Sequence, residues 1–342
     1  MTRISRALAG ALTATTMGLT ALAGAGNAAA QPVGSPGEAE DSDAISTTTA
    51  KRSDGSRVAS AESAADVERY WTPERRRNAI PAPGPAGRSG DGGSAAQGEG
   101  DGRAGTPEGR PGSTQGALPK GDGSKARSES SAVGKVFFTA SDGKDYVCSA
   151  SALNSDSKQL AITAGHCVHD GKGGDWATNW VYYPRYREGD KPVGAFPAKT
   201  LTTFDAWKDN SDFRRDVAMV TTYPNDRGKL VDVTGGHGLS WNYSHTEQVD
   251  IAGYPSNHNK GEVQHFCWGK TSRYGWFDSR ISLKCGFGPG SSGGPWLREY
   301  NQDSGIGNVN GVMSTVDNDG VNASAYFDDA VAKMLDDKGD DT

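Results

Sequence analysis

The sequence is short of the residues that build large cores. Only 35% of its 342 residues are hydrophobic and 8% aromatic, whereas glycine alone takes 47 positions. That balance excludes a chain packed into a core along its whole length. Long apolar runs are also scarce: beyond the N-terminal stretch, no segment is long and apolar enough to span a bilayer. A basic excess is missing. The net charge is -6, and all of it arises after residue 130, which argues against a nucleic-acid partner, since phosphates call for a basic face. There is no Cys-x-x-Cys pair and no His-x-x-x-His spacing. The common zinc patterns are therefore absent, although His166, His169 and His265 stand near cysteines in the chain. No metal and no other cofactor is expected.

What is present falls into three parts. The chain opens with two arginines among its first six residues, continues through an Ala/Leu/Thr/Gly-rich stretch to Gly26, and reaches Asn27-Ala28-Ala29-Ala30. A basic start, a short apolar run and small residues before a polar segment predict a secretory signal peptide over 1–30, cut after Ala30. The competing reading, an uncleaved anchor, is opposed by a run that is short and diluted by Thr and Gly. The protein is then expected outside the cell, without stable membrane association. Its four cysteines, Cys148, Cys167, Cys267 and Cys285, form two local pairs. In an exported protein these predict the disulfides Cys148–Cys167 and Cys267–Cys285, although four cysteines allow three connectivities.

Residues 31–130 are expected to form a largely disordered pro-segment and linker. One local signal stands out, Tyr70-Trp71-Thr72-Pro73-Glu74-Arg75-Arg76-Arg77. Thr72 can cap a short helix with Pro73 at its first position and Glu74 in its first turn, with Tyr70 and Trp71 as apolar anchors. Either a docking element or an inert piece of tail fits that pattern. From Pro81 to about Ser131 the composition is Gly/Pro/Ser-rich, with no helix or strand spacing, and reads as a flexible linker.

Residues 131–342 form the folded domain. Short β-type runs recur between turn residues, among them Lys135–Thr139, Tyr146–Ala150, Leu160–Thr163, Trp180–Tyr183, Val217–Val220, Val249–Ala252, Ile281–Leu283 and Asn310–Ser314. Many short strands with turn signals predict an all-β barrel or sandwich. Only the end reads as helical, with Phe327, Val331, Met334 and Leu335 on one face and Asp328 and Asp329 in the first turn.

Three local sequences carry chemistry. Thr163-Ala164-Gly165-His166-Cys167 places a histidine at a strand end beside a cysteine, held as a general base must be. Arg215-Asp216-Val217-Ala218-Met219-Val220 places an aspartate at the head of an alternating strand, which can bury its carboxylate and orient an imidazole; Asp205, Asp209 and Asp212 lack that strand. Gly288-Pro289-Gly290-Ser291-Ser292-Gly293-Gly294-Pro295-Trp296 offers a hydroxyl on a tight glycine turn, where the N–H groups of Gly290 and Ser292 can converge on an oxyanion. Each alone has a bland reading: a surface histidine, a solvated aspartate, an ordinary Gly/Ser loop.

Together, TAGHC, RDVAMV and GSSGGP resemble the three catalytic signatures of the chymotrypsin/trypsin-like serine protease superfamily. The order His, Asp, Ser matches that superfamily and differs from the orders in subtilisins and α/β-hydrolases. The likeness runs from about Val133 to Leu335. It implies two antiparallel six-stranded β-barrels with a C-terminal helix and an active site between the barrels. His166 and Asp216 would lie on the first barrel and Ser292 on the second, as the catalytic triad of an endopeptidase working through an acyl-enzyme. Cys148–Cys167 resembles the disulfide that braces the histidine. Gly311–Thr315 resembles the strand lining the substrate cleft, with Met313 beside it, Ser314 bonding the triad aspartate and Thr315 pairing with substrate backbone. The partner implied is a peptide or protein substrate, and the protein is expected to be a monomer.

Some positions depart from the animal members. Ser291 stands where those enzymes carry an aspartate that pairs with a newly cut N-terminus, and no Ile-Val-Gly-Gly start is present. The closer likeness is to bacterial secreted members, including the glutamyl-endopeptidase branch, and Tyr70–Arg75 looks like a pro-segment motif of actinobacterial proteases. The stretch Cys285–Gly288 supplies no acidic residue for a basic-specific pocket, and Met313 stands where the glutamyl branch has a histidine. Met313 and Phe287 can line an apolar pocket or belong to the core. A secreted inactive homologue and a secreted esterase using the same residues remain as alternatives.

Overall fold

The computed structural model describes residues 43–82, 109–120, 129–276 and 278–342. The signal peptide expected over 1–30 lies outside them. The described chain is mostly β, with few helices.

The first half of the domain is a closed antiparallel barrel of six strands. Val133–Thr139 pairs on one side with Asp145–Leu153 and on the other with Thr178–Pro184. From there the ladder continues through Leu160–Thr163, Ala218–Thr222 and Phe196–Phe204 back to Thr178–Pro184. Closure leaves no free edge in the ring and fills the interior with Val136, Ala150, Ala161, Tyr182, Leu201 and Val220, all buried and on one face by their register.

Residues 43–82 are built onto this barrel. Ile45–Thr49 adds an antiparallel strand to Thr200–Phe204. A helix over Ala61–Tyr70 starts from a Ser60/Ser63 capping box, and a second over Pro73–Asn78 is capped by Thr72, whose hydroxyl accepts from the Arg75 N–H at 3.2 Å. Trp71 between them is buried, donates from Nε1 to the Asn179 carbonyl at 2.7 Å and lies 5.4 Å from the Phe137 ring. The whole strand Val133–Thr139 is buried for this reason. One face fills the barrel, and residues such as Trp71 cover the other. The sequence motif at 70–77 is thus the centre of a larger folded segment whose remaining parts show little apolar periodicity.

The C-terminal half is carried by two sheets. A six-stranded sheet runs His265–Lys270, Gln248–Gly253, Pro295–Asn301, Ile306–Val312, Gly238–Trp241 and Gly112–Ser113, and a four-stranded sheet runs Ser272–Arg273, Ile281–Lys284, Val321–Ser324 and Thr315–Val316. They are linked where Ser314 N–H donates to the Ala323 carbonyl at 3.0 Å and Val312 N–H to Ser324 Oγ at 2.8 Å. Gly112–Ser113 belongs to the stretch read as a linker without strand spacing. A two-residue edge strand is held by backbone bonds, such as Thr114 N–H to the Leu239 carbonyl at 2.8 Å, and leaves no side-chain pattern to detect.

The final helix spans Asp329–Lys338. Asp328 is its cap and accepts from the Ala330 N–H at 3.1 Å, while Ala330, Val331, Met334 and Leu335 face the core. Both disulfides form as expected, Cys148–Cys167 and Cys267–Cys285.

Candidate active site

Three turns meet where the two halves touch. Leu160–Thr163 ends in a single 3-10 turn over Gly165–Cys167 that carries His166, and the Cys148–Cys167 disulfide ties that turn to the neighbouring strand. A second 3-10 turn, Phe213–Arg215, starts on the Asp212 side chain and delivers Asp216 to the head of Ala218–Thr222. The third turn, Gly288–Gly294, precedes the strand Pro295–Asn301 and carries Ser292.

Asp216 is fully buried and its carboxylate is fully engaged. One oxygen accepts the His166 backbone N–H at 2.8 Å. The other lies 2.8 Å from His166 Nδ1 and accepts the Ser314 hydroxyl at 2.6 Å. Burial pushes this carboxyl up, but His166 and the hydrogen bonds from His166 and Ser314 outweigh it and hold the group below the ordinary carboxylate range. With Nδ1 occupied, the other ring nitrogen of His166, Nε2, is buried and has no hydrogen-bond partner among the described residues. The Trp207 ring packs edge-on at 6.1 Å and fixes the imidazole from one side.

The Ser292 turn is set against both neighbours. Gly293 N–H donates to the Met313 carbonyl at 2.7 Å, next to Ser314. A Cβ on Gly293 would fall 2.0 Å from Thr163 Oγ1 and 2.3 Å from the Ser149 carbonyl, and its φ is +79°. Only glycine fits that approach, which brings Ser292 beside the strand leading to His166.

The Gly290 peptide is aimed by its own carbonyl side. Ser256 N–H donates to the Pro289 carbonyl at 2.9 Å. Because C=O and N–H of a trans peptide point in opposite directions, the Gly290 N–H points away from Ser256. Among the described residues, neither the Gly290 N–H nor the Ser292 N–H donates to another backbone group. Ser291, by contrast, is buried and donates from Oγ to the Gly288 carbonyl at 2.7 Å, so the position that is charged in animal enzymes here closes the turn locally.

Sequence reasoning missed Ser149. Its N–H donates to the Ser292 carbonyl at 2.7 Å, and its hydroxyl donates to the Gly290 carbonyl and accepts from the Tyr254 N–H, each at 2.9 Å. It ties the Ser292 turn to the first barrel at two points. The only available signal was its place beside Cys148.

Other predicted positions fall as follows. Thr315 starts the two-residue strand Thr315–Val316. Met313 and Phe287 are buried and pack with Val249, Ile251, Ile281 and Trp296 in a cluster separate from the barrel core. Cys148, His166 and Cys167 form the one metal-like grouping among the described residues, but both sulfurs are spent in the disulfide. His169 is engaged locally, its Nδ1 accepting from the Gly171 N–H at 3.1 Å.

Residues 148–306 match the family of trypsin-like peptidase domains. Over those residues the chain is similar to trypsin-like peptidase domains. Solved structures with the same fold include a thermostable serine protease, AL20, from an extremophilic microorganism, at 28% identity over 62% of this chain and 99% of that one, with a TM-score of 0.58. The protease Anisep from Arthrobacter nicotinovorans is 27% identical over 66% of this chain and 99% of its own, also with a TM-score of 0.58. A Glu endopeptidase shares the fold at 16% identity, covering 66% and 97% of the two chains with a TM-score of 0.51. No curated protein matches the chain. The resemblance read from the sequence and the all-β fold therefore hold.

Proposed function

We propose that the protein is a secreted serine endopeptidase in which Ser292, His166 and Asp216 form the catalytic triad. The observation that carries this reading is the buried relay from Ser314 through Asp216 to His166, which leaves Nε2 as the one free nitrogen of a fixed imidazole, beside the Ser292 turn.

In the first step Ser292 Oγ attacks the carbonyl carbon of the scissile bond and His166 Nε2 takes the hydroxyl proton. The new C–O bond turns the carbonyl oxygen into an oxyanion, which the N–H groups of Gly290 and Ser292 receive; each such donor typically contributes about 3–4 kcal/mol to the transition state. The C–N bond then breaks as His166 gives its proton to the leaving amine. Water repeats the sequence, losing a proton to His166 as it attacks the acyl-enzyme and releasing Ser292. Asp216 fixes the tautomer and stabilises the imidazolium. Thr315 pairs with the backbone of the acyl side.

Export is supported by the N-terminal pattern and by two disulfides. Among the described residues no helix is long and apolar enough to cross a membrane. The pro-segment over 31–130 is proposed on the sequence pattern, with residues 43–82 as its folded part.

The test is hydrolysis of a peptide library beside short-chain esters by the wild-type protein and Ser292→Ala. Cleavage of internal peptide bonds, lost in the variant, supports an endopeptidase. Ester hydrolysis alone points to an esterase, and no hydrolysis of either to an inactive binding homologue.

A further inference from the structure

The strand that ties down the nucleophile turn has a second backbone partner. Asp145–Leu153 reaches Ser292 through the Ser149 N–H. Two residues earlier the same strand pairs in parallel with Ile80–Pro81, in the register Ile80 to Tyr146 and Pro81 to Val147. The pairing ends on a hydrogen bond from the Ala82 N–H to the Val147 carbonyl at 2.9 Å. Pro81 also lies over the oxyanion-side glycine: a Cβ placed on Gly290 would stand 3.6 Å from Pro81 Cβ and 3.7 Å from Val147 Cγ2. Ile80–Ala82 thus runs beside both the strand and the glycine that hold the Ser292 turn.

The direction of this segment matters. Along the paired strand, residue numbers rise from Tyr146 toward Ser149 and so toward Ser292, and Ile80–Ala82 runs the same way because the pairing is parallel. The leaving half of a substrate starts at the scissile bond and runs away from the nucleophile. The segment therefore runs in the opposite sense from a substrate, and its peptide bonds are not presented for attack.

Its anchors keep it there. Arg75 pairs with one Asp145 oxygen at 3.0 Å, Tyr70 donates to the other at 2.9 Å, and the guanidinium lies 4.1 Å from the centre of the Tyr70 ring. With Trp71 buried against the barrel, the strand is tethered beside its acceptor, which raises its local concentration far above that of a free peptide. His166 and Ser292 are only 8% and 3% exposed.

We propose that Ile80–Ala82 lies in cis, as a reversed, uncleavable strand, along the Tyr146–Val147 edge where the leaving-group side of a peptide substrate binds. The proposal rests on the peptidase reading. While the segment is docked, substrates with several residues beyond the scissile bond are excluded, and those with a small leaving group are not.

The experiment uses full-length protein, with residues 43–82 verified by intact mass, as wild type, Ala82→Pro and Pro81→Gly. The first variant removes the N–H that bonds Val147, and the second loosens the strand without a ring. Two substrates share one acyl half: one continues for four residues past the scissile bond, the other ends in a single small amide. Losing one backbone hydrogen bond from the docked strand should raise kcat/KM on the long substrate about fivefold to tenfold, with the short one unchanged within about twofold. Equal effects on both substrates, or none on either, in the variants that melt cooperatively would overturn the proposal. Fluorophosphonate labelling of Ser292 in each protein separates the two failures: labelled protein with an unchanged ratio sinks the cis strand, and unlabelled protein sinks the peptidase reading beneath it.

Discussion

Ser314 donates its hydroxyl to the same Asp216 oxygen that faces His166 Nδ1, at 2.6 and 2.8 Å. The carboxylate is fully buried, so each donor counts. Asp216→Asn should lower kcat by about 10^4-fold, the loss seen when an amide imposes the wrong tautomer in such triads. Ser314→Ala should cost roughly tenfold in kcat with little change in KM, and about 1.5–3 kcal/mol of stability, because the carboxylate loses a charge-assisted bond. Asp216 titrates below its unfolded value, so its contribution to stability is present above about pH 4 and is lost as pH falls through the folded value. Removing the Ser314 donor should move that acid limb to higher pH, which thermal melts across pH 2–5 would detect.

Ser149→Ala should reduce kcat about tenfold, less than deleting an oxyanion donor outright. The backbone bond to Ser292 survives, but the Gly290 carbonyl loses its partner and the Tyr254 N–H is left unpaired. Steady-state kinetics on one peptide, with Gly290→Ala for comparison, would check it. Gly290→Ala should be worse, since φ is +90° there and the new Cβ would stand 2.9 Å from the Tyr254 carbonyl.

Trp71→Ala should destabilise the protein by about 3–5 kcal/mol, the range for a buried tryptophan. The indole is held by the Asn179 carbonyl and packs on Phe137, so the change opens a cavity at the junction of the 43–82 segment and the barrel. Urea unfolding measures it, and a loss under about 1 kcal/mol would mean that the segment adds nothing to barrel stability.

His237 is a second acid-sensitive group, away from the site. Burial holds its pKa down to about 3. The unfolded chain, with an ordinary value near 6.5, then binds one more proton between these two values, so stability falls as pH drops through that window, by up to about 1.4 kcal/mol per pH unit. His237→Asn keeps an acceptor near the Gly307 N–H that Nδ1 now receives. Its stability should vary less between pH 6 and 4 than that of the wild type.

Several strands, the final helix and the turns proposed to carry the chemistry were legible in the sequence because they leave local marks. Leu160–Thr163, Val249–Ala252 and the C-terminal helix show their periods, and glycine at 290 and 293 marks a turn that admits no side chain. The added strand Ile45–Thr49 and the edge pair Gly112–Ser113 were not legible, since backbone ladders need no particular side chains. Ser149 was hidden for a related reason: half of its role is played by its N–H. Val217 was expected in a strand and instead lies just before one, where its N–H bonds the Arg215 carbonyl. The pairing of Ile80–Ala82 with Tyr146–Val147 is a long-range contact that no local pattern announces.

The central claim, that Ser292 is an activated nucleophile, is tested most directly by fluorophosphonate labelling of the processed protein, read by intact and peptide mass beside Ser292→Ala. The account predicts a single adduct on Ser292, absent from the variant and strongly slowed in His166→Ala. No adduct on folded, processed wild-type protein, or an adduct elsewhere that survives Ser292→Ala, would contradict it.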